Sequence, residues 1–320
     1  MATQAPPQLQ SEYRVLRDGA GILERGDRAT LDVVGPDAVD FLQGQVTNDV
    51  AALVAGEGCY ATILNPKGRI LADLRILRRG EQELWLDTER TCAQAVLSNL
   101  RMYKIGRQVE VADRSAERAV LSLIGPAARD IAGADLPPRE HSFVDAEIGG
   151  IAAVAVATDV GVDLLVDAPA AADLASTLTE RGAVPVSPPA AEIVRVESGR
   201  ARYGVDMSED NLPGEIGLEE RAVSFTKGCY VGQEPVARMH HRGHPNRHLR
   251  GLRLSAPAEP GAALTAGGRE VGAVTSAVVS PALGPIALGI VRREVEPGAE
   301  VEVGPAGAPA RVMELPFGDT

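Results

Sequence analysis

Residues 227–234 read KGCYVGQE, a cysteine set between two glycines, beside a lysine and just ahead of a helical stretch. Gly228 and Gly232 permit sharp backbone geometry on either side of Cys229. The following QEPVARMHH has helical character, with Glu234 and Pro235 in a first turn that accommodates both a carboxylate and a missing N–H. A thiol close to a helix N-terminus and next to Lys227 is favoured as thiolate, which makes it a nucleophile or a soft-metal ligand. The opposing reading is a small residue filling a turn. The chain has three cysteines and no CxxC pair. Cys92 falls on the apolar stripe of a helix predicted over 88–104, with Val96, Leu100 and Tyr103. Cys59 sits at a strand edge, and both are expected to be buried and inert.

Downstream, Pro235 to Ala258 contains no acidic residue in a chain with 44 of them, yet it carries five arginines and four histidines. Such a segment attracts an anion or an acidic partner surface, unless it is simply a solvated basic face. His240, His244 and His248 are spaced like successive helical turns, but Gly243 and Pro245 interrupt that helix, so no metal site is expected. Residues 246–320 are short apolar runs punctuated by Gly and Pro, the pattern of a small all-β barrel. The long uncharged run 271–291 contains Pro281 and Pro285 and reads as strand–turn–strand rather than a membrane span.

Upstream, RVESGRARYGVDM (195–207) sets Glu197 among Arg195, Arg200 and Arg202. A carboxylate there either is solvated or accepts two parallel N–H bonds from an amidine-like edge such as a pterin ring. Residues 59–77 read as a hairpin turning at NPKG, with Ile70, Ala72, Leu74 and Ile76 on one face and Leu71, Asp73 and Arg75 on the other. A strand is expected at 28–35 and a helix from Pro36 that stops near Thr47, Asn48 and Asp49. A second unit has strands at 119–125, 150–158 and 162–167, a helix at 167–182 and a linker at 184–190. The class is α+β. Residues 12–112 form a first α+β subdomain to which 190–245 return, residues 113–189 form a second, and residues 246–320 form the barrel.

The 320 residues carry a formal net charge of −12, against binding of nucleic acid or an anionic membrane by the whole chain. The first residues hold no apolar signal region, so a cytoplasmic location is expected. No phosphate-loop, GxGxxG, HExxH or GxSxG pattern occurs, which removes support for nucleotide, dinucleotide, zinc-protease and serine-hydrolase readings. With no heptads and no apolar stripe beyond the cores, a monomer is expected.

KGCYVGQE, followed by VAR and RG, resembles the signature of YgfZ-type folate-binding proteins, relatives of the aminomethyltransferase (T-protein) of the glycine cleavage system. FLQGQVTNDV (41–50), NPKGRILADLRI (65–76), RVESGRARYGVDM, LPGEIGLE (212–219) and the run 271–291 resemble further segments of that family in the same order. The resemblance implies a ring of two α+β subdomains around a central folate channel, with a C-terminal barrel. It implies a tetrahydrofolate-binding accessory protein in the assembly or repair of iron–sulfur clusters, with [4Fe–4S] client enzymes or assembly proteins as partners. It puts Glu197 where T-proteins hold their pterin carboxylate, Tyr203 near the ring, Arg242 near the folate glutamate tail, and Thr47, Asn48 and Asp49 along the channel. It makes Cys229, beside Lys227, the working thiol. T-proteins usually carry an Asp–Asp pair in the hairpin, where this chain has Ala72–Asp73, and they lack a cysteine in the Lys–Gly turn. Asp73 remains as a carboxylate near the folate nitrogens, so the alternative is a folate-dependent aminomethyltransferase or demethylase.

Overall fold

The computed structural model describes residues 4–318. The chain opens with α1 (Pro7–Asp18) and β1 (Gly21–Glu24). It continues through β2 (Arg28–Val34), α2 (Ala38–Gln43), β3 (Gly58–Leu64), β4 (Ile70–Arg78), β5 (Glu83–Glu89), α3 (Ala93–Tyr103) and β6 (Glu110–Asp113). Strands β3-β4-β5-β2-β6 pair in that order as an antiparallel sheet. The alternation read in β4 holds from Ala72 on; Ile70, beyond a register shift at Leu71, packs instead with Leu64 in a separate cluster, whereas the buried face carries Ala72, Leu74 and Ile76. The last three pack with Leu31, Val33, Val96 and Leu100 in the core under α2 and α3.

The second unit runs through β7 (Arg118–Ile124), α4 (Ala128–Ala132), β8 (Phe143–Ile148), β9 (Ile151–Thr158), β10 (Gly161–Asp167), α5 (Ala171–Glu180) and β11 (Val184–Pro185). Its sheet has the order β11-β1-β7-β10-β9-β8. Leu121, Leu123, Val162 and Leu164 pack there against Leu174 and Leu178 of α5. Helices α6 (Pro188–Glu197), α7 (Pro213–Ile216), α8 (Glu219–Ala222) and α9 (Gln233–Arg242) then return the chain to the first unit. Strands β12 (Arg247–Leu254), β13 (Ala263–Ala266), β14 (Arg269–Ser280), β15 (Gly284–Arg292), β16 (Glu300–Val303) and β17 (Ala308–Met313) close into a six-stranded barrel. The uncharged run 271–291 spans β14, a turn at Pro281 and β15. Among the described residues, no helix is long and apolar enough to cross a membrane.

Five expectations need correcting. β1 lies within residues 12–112 but pairs with β7 and β11, so the first segment of the chain is shared with the second sheet. The supposed linker 184–190 supplies β11 and the start of α6, where Pro188 fits a first turn that needs no N–H. α2 ends at Gln43 rather than near 47–49, and Val46 bridges to Ile63 instead. The helix predicted over 88–104 starts only at Ala93, because Thr88 and Glu89 are still paired in β5 with Ala29 and Arg28. Tyr103, at its end, is 40% exposed rather than part of the buried stripe.

The faces of the two sheets that turn away from the helices meet each other. At one end Leu77, Val120, Phe143, Val154, Val156 and Leu165 form a small apolar cluster against Trp85. Two residues further along the same strand faces, the side chains become Arg75 on β4, Ser122 on β7 and Asp163 on β10. This period-2 continuation turns an apolar contact into a polar cavity.

Candidate functional site

The cavity between the sheets measures about 590 Å³ and is lined from both subdomains and from α6. That lies within the range of small-molecule sites. Asp73 is its most telling residue. It is only 6% exposed. Its Oδ2 accepts a 2.7 Å hydrogen bond from the Tyr60 hydroxyl, and its Oδ1 is buried without a partner. Burial raises its pKa, an effect that Arg28 and the Tyr60 bond oppose. Glu89, on the next strand, is raised in the same way by burial against the pull of Arg28. Asp87 between them behaves oppositely: burial would raise it, but Arg28 and Arg75 together bring it down to about 2. Neighbouring carboxyls with diverging proton affinities are the usual arrangement for acid–base chemistry.

The charges are held by ion pairs within the first sheet and, from Arg75 to Asp163, between the two sheets. Arg28 donates to Asp87 at 2.8 Å and Glu89 at 2.9 Å. Arg75 donates to Asp87 at 2.5 Å and to Asp163 of the second sheet at 2.7 Å. On α6, Glu192 lines the cavity and pairs with Arg195 at 2.6 Å and Arg202 at 3.6 Å.

Of the residues predicted for the site, the structure brings only Asp73 to this cavity. Glu197 turns the other way. Its carboxylate accepts from Tyr13 at 3.0 and 3.1 Å and from Ser280 at 2.5 Å, with Arg17 at 3.8 Å, which joins α1, α6 and the barrel. Glu192 and Glu197 are five residues apart, about 140° around a helix of 3.6 residues per turn, so the two point to different neighbours. Tyr203 packs against the cores on either side and meets the Ile70 carbonyl at 3.5 Å. Thr47 donates to the Ala222 carbonyl at 2.6 Å and accepts from the Thr62 N–H at 2.9 Å. Asn48 donates to the carbonyls of Tyr60 and Arg221, and Asp49 accepts from Gln43 and the Ala52 N–H. These three hold a loop together and do not line the cavity. Arg242 ends α9 as an exposed side chain, also away from the cavity.

The KGCYVGQE stretch is a docking loop. Lys227 is buried, and its ammonium donates to the carbonyls of Gln43, Val46 and Asn48 at 2.6–2.8 Å. Burial lowers its pKa to about 8, which still leaves it charged at neutral pH. Tyr230 is buried. Gly232, with φ +81°, packs on the hairpin turn, where a Cβ would come within 2.5 Å of the Asn65 carbonyl oxygen. Cys229 projects outward and is exposed, whereas Cys59 and Cys92 are buried. The expected assistance of Lys227 to the thiol is therefore corrected: its ammonium is already committed to three carbonyls inside the protein. Lys227→Met should cost about 2 kcal/mol by stranding those carbonyls. A urea midpoint equal to wild type would show that water takes over the ammonium's bonds.

Sequence reading missed Tyr60, Arg28, Glu192 and His141. Tyr60 and Arg28 lie on strands that were recognised, and the outward-facing positions of those strands were the available signal. His141, in a loop of the second unit, has no local sequence signal.

Comparison with known proteins agrees with this architecture. The GCVT N-terminal domain model matches residues 2–227, and the glycine cleavage T-protein C-terminal barrel domain model matches residues 247–319. The chain is 30% identical over 321 residues to an aminomethyltransferase of Rubrobacter xylanophilus, covering 97% of this chain and 86% of that one. It is 32% identical over 330 residues to an aminomethyltransferase of Saccharopolyspora erythraea, covering 96% and 89%. The crystal structure of glycine cleavage system aminomethyltransferase T from Bartonella henselae superposes with a TM-score of 0.88 at 27% identity, covering 99% of this chain and 91% of that one.

Proposed function

Because this chain belongs to the glycine cleavage T-protein family, we propose that its central cavity binds tetrahydrofolate and that the protein transfers a one-carbon unit there, with Asp73 as the proton-accepting group. The observation that carries this reading is the buried, unpartnered Oδ1 of a cavity-lining carboxylate. An orphaned acceptor in a buried site is costly unless a ligand donor meets it. The cavity's size and its alternating carboxylates and guanidinium groups suit a ligand rich in N–H donors and carbonyl acceptors. When bound, the reduced pterin would supply a secondary-amine nitrogen to receive the one-carbon unit. Tyr60 fixes Asp73 through Oδ2 and leaves Oδ1 to accept a proton. Arg28 and Arg75 keep Asp87 ionised, so that the local field favours Asp73 over Asp87 as the proton holder.

Calorimetric titration tests the binding step. Tetrahydrofolate should bind at least tenfold more tightly than folic acid or ATP. Equal affinity for the oxidised and reduced pterins, or preference for the nucleotide, would sink the proposal.

A second reading keeps the iron–sulfur role, supported by the exposed position of Cys229 in a signature whose Lys227, Tyr230 and Gly232 are engaged in packing and hydrogen bonds inside the protein. Cys229→Ser should then abolish rescue of [4Fe–4S] enzyme activity in a deletion strain. Folate affinity should stay within about threefold, because Cys229 lies outside the cavity. Full rescue by the serine variant removes the thiol from the mechanism.

A further inference from the structure

We propose that His141 is a positioning residue of this cavity, holding the Tyr60 ring so that its hydroxyl stays on Asp73. The functional consequence rests on the folate reading, whereas the geometry does not. Among the described residues, His141 is the non-glycine residue with positive φ, at 68°. Such a backbone persists only where its surroundings over-determine it, and it concentrates at functional sites. The surroundings here are specific. The His141 N–H donates to the Ala157 carbonyl at 2.8 Å. Its own carbonyl lies against Gly58, where a Cβ would sit 2.7 Å away. The two preceding side chains also reach the first unit and the returning helices: Arg139 pairs with Glu57 at 2.9 Å and Glu140 with Arg221 at 2.5 Å. Three consecutive residues of the second unit thus latch onto elements outside it.

What the latch presents is an imidazole against Tyr60. The ring centroids are 6.4 Å apart with planes inclined by 26°, within the range of offset aromatic pairs. The Arg221 guanidinium lies 5.2 Å from the same tyrosine ring, and Asn48 holds the Tyr60 carbonyl at 2.8 Å. His141 Nδ1 is buried without a partner, and Nε2 is 3.5 Å from Glu140. Burial first, then Arg75 and Arg221, with a smaller push from Arg200 and an opposing pull from Asp87, bring the imidazole down to about 3. It therefore stays neutral and acts as a flat ring, adding no charge beside Asp73, which already faces Arg28, Asp87 and Glu89.

The test uses two substitutions in the full chain. His141→Asn tolerates positive φ but has no ring, whereas His141→Phe keeps a ring on a strained backbone. The first readout is the titration of Asp73 in the ligand-free protein, followed by carboxyl ¹³C NMR and assigned with Asp73→Asn. The second is affinity for 5-formyltetrahydrofolate. In His141→Asn, Asp73 should titrate at higher pH as the Tyr60 bond loosens, and affinity should fall about tenfold with the thermal midpoint nearly unchanged. His141→Phe should rescue both readouts to within about threefold while melting earlier. If His141→Asn leaves both readouts at wild type, or His141→Phe loses as much as His141→Asn, the residue serves only the loop and the proposal is overturned. If wild type binds no folate but Asp73 still shifts in His141→Asn, the folate reading fails and the positioning role stands.

Discussion

Asp73→Asn is expected to lower folate-dependent one-carbon transfer by about 10²–10⁴-fold, the usual contribution of a positioned proton acceptor, while leaving the protein no less stable. The assay is release of ammonia from an aminomethyl donor in the presence of tetrahydrofolate, alongside thermal unfolding. The two effects have one cause. Asp73 is buried with one oxygen unpartnered, so its folded pKa lies above the value it has in the unfolded chain. The folded state therefore prefers the protonated carboxyl. Stability from this group is present at low pH and is lost as pH rises from the unfolded value through the raised folded one. The cost grows as pH rises above the unfolded value. Asparagine cannot ionise, yet its Oδ1 can still accept from Tyr60, so the variant should unfold at an equal or higher temperature. The wild-type rate should in turn fall as acidification protonates Asp73, at a pH above the ordinary carboxylate range. A variant that keeps its rate, or that loses rate only in step with lost folded protein, would remove Asp73 from the chemistry.

Asp73 was legible in the sequence because a strand writes its two faces in alternation. Once Ile70, Ala72, Leu74 and Ile76 were assigned to a core, Asp73 and Arg75 had to share the opposite face. The barrel and the two α+β units were legible for a similar reason: their apolar runs and breakers carry the information locally. The rest of the site depends on which surfaces meet. Glu192 and Glu197 lie on one helix, and nothing within α6 says which of its sides faces the second sheet and which faces α1 and the barrel. Lys227 reads as a surface charge from its type, but its long stem reaches three carbonyls contributed from about 180 residues away in sequence. The Thr47–Asn48–Asp49 run has the composition of a ligand-binding loop, and its side chains are spent largely on the protein's own groups, mostly backbone. β1 was missed because four residues are too few to show a period. Its pairing with the second sheet is decided by β7 and β11, which are distant in the chain.

Removing the bolt between the two sheets should be the most destabilising single change at this site. Arg75 is buried, with Asp87 of its own sheet on one arm of the guanidinium and Asp163 of the other sheet on the second. Ser122 donates to the free oxygen of Asp163 at 2.6 Å, so the acceptor is itself fixed. Arg75→Met keeps much of the apolar stem but leaves two low-solvent carboxylates short of a partner. Breaking a buried pair from one side costs about 3–5 kcal/mol, much more than the pair's net worth. The pH profile supplies a check that bulk loss of packing would not mimic. Burial would raise Asp87, yet Arg28 and Arg75 hold it at about 2 against an unperturbed 3.8. That depression contributes stability above the unfolded value, and the contribution disappears as pH falls through the folded one. Without Arg75, Arg28 and a weaker pull from Arg25 are left to oppose burial, so the folded pKa must rise and the acid-side loss of stability must begin at higher pH. Urea unfolding between pH 2 and 7 measures both quantities. A loss below about 1 kcal/mol with an unshifted acid limb would mean that water replaces the guanidinium and that the sheets need no such bolt. If the bolt is real, adding Asp163→Leu to Arg75→Met should recover part of the lost stability, because the second change removes one of the stranded charges. The repaired protein should still bind folate poorly, since Arg75 and Asp163 also form part of the cavity wall.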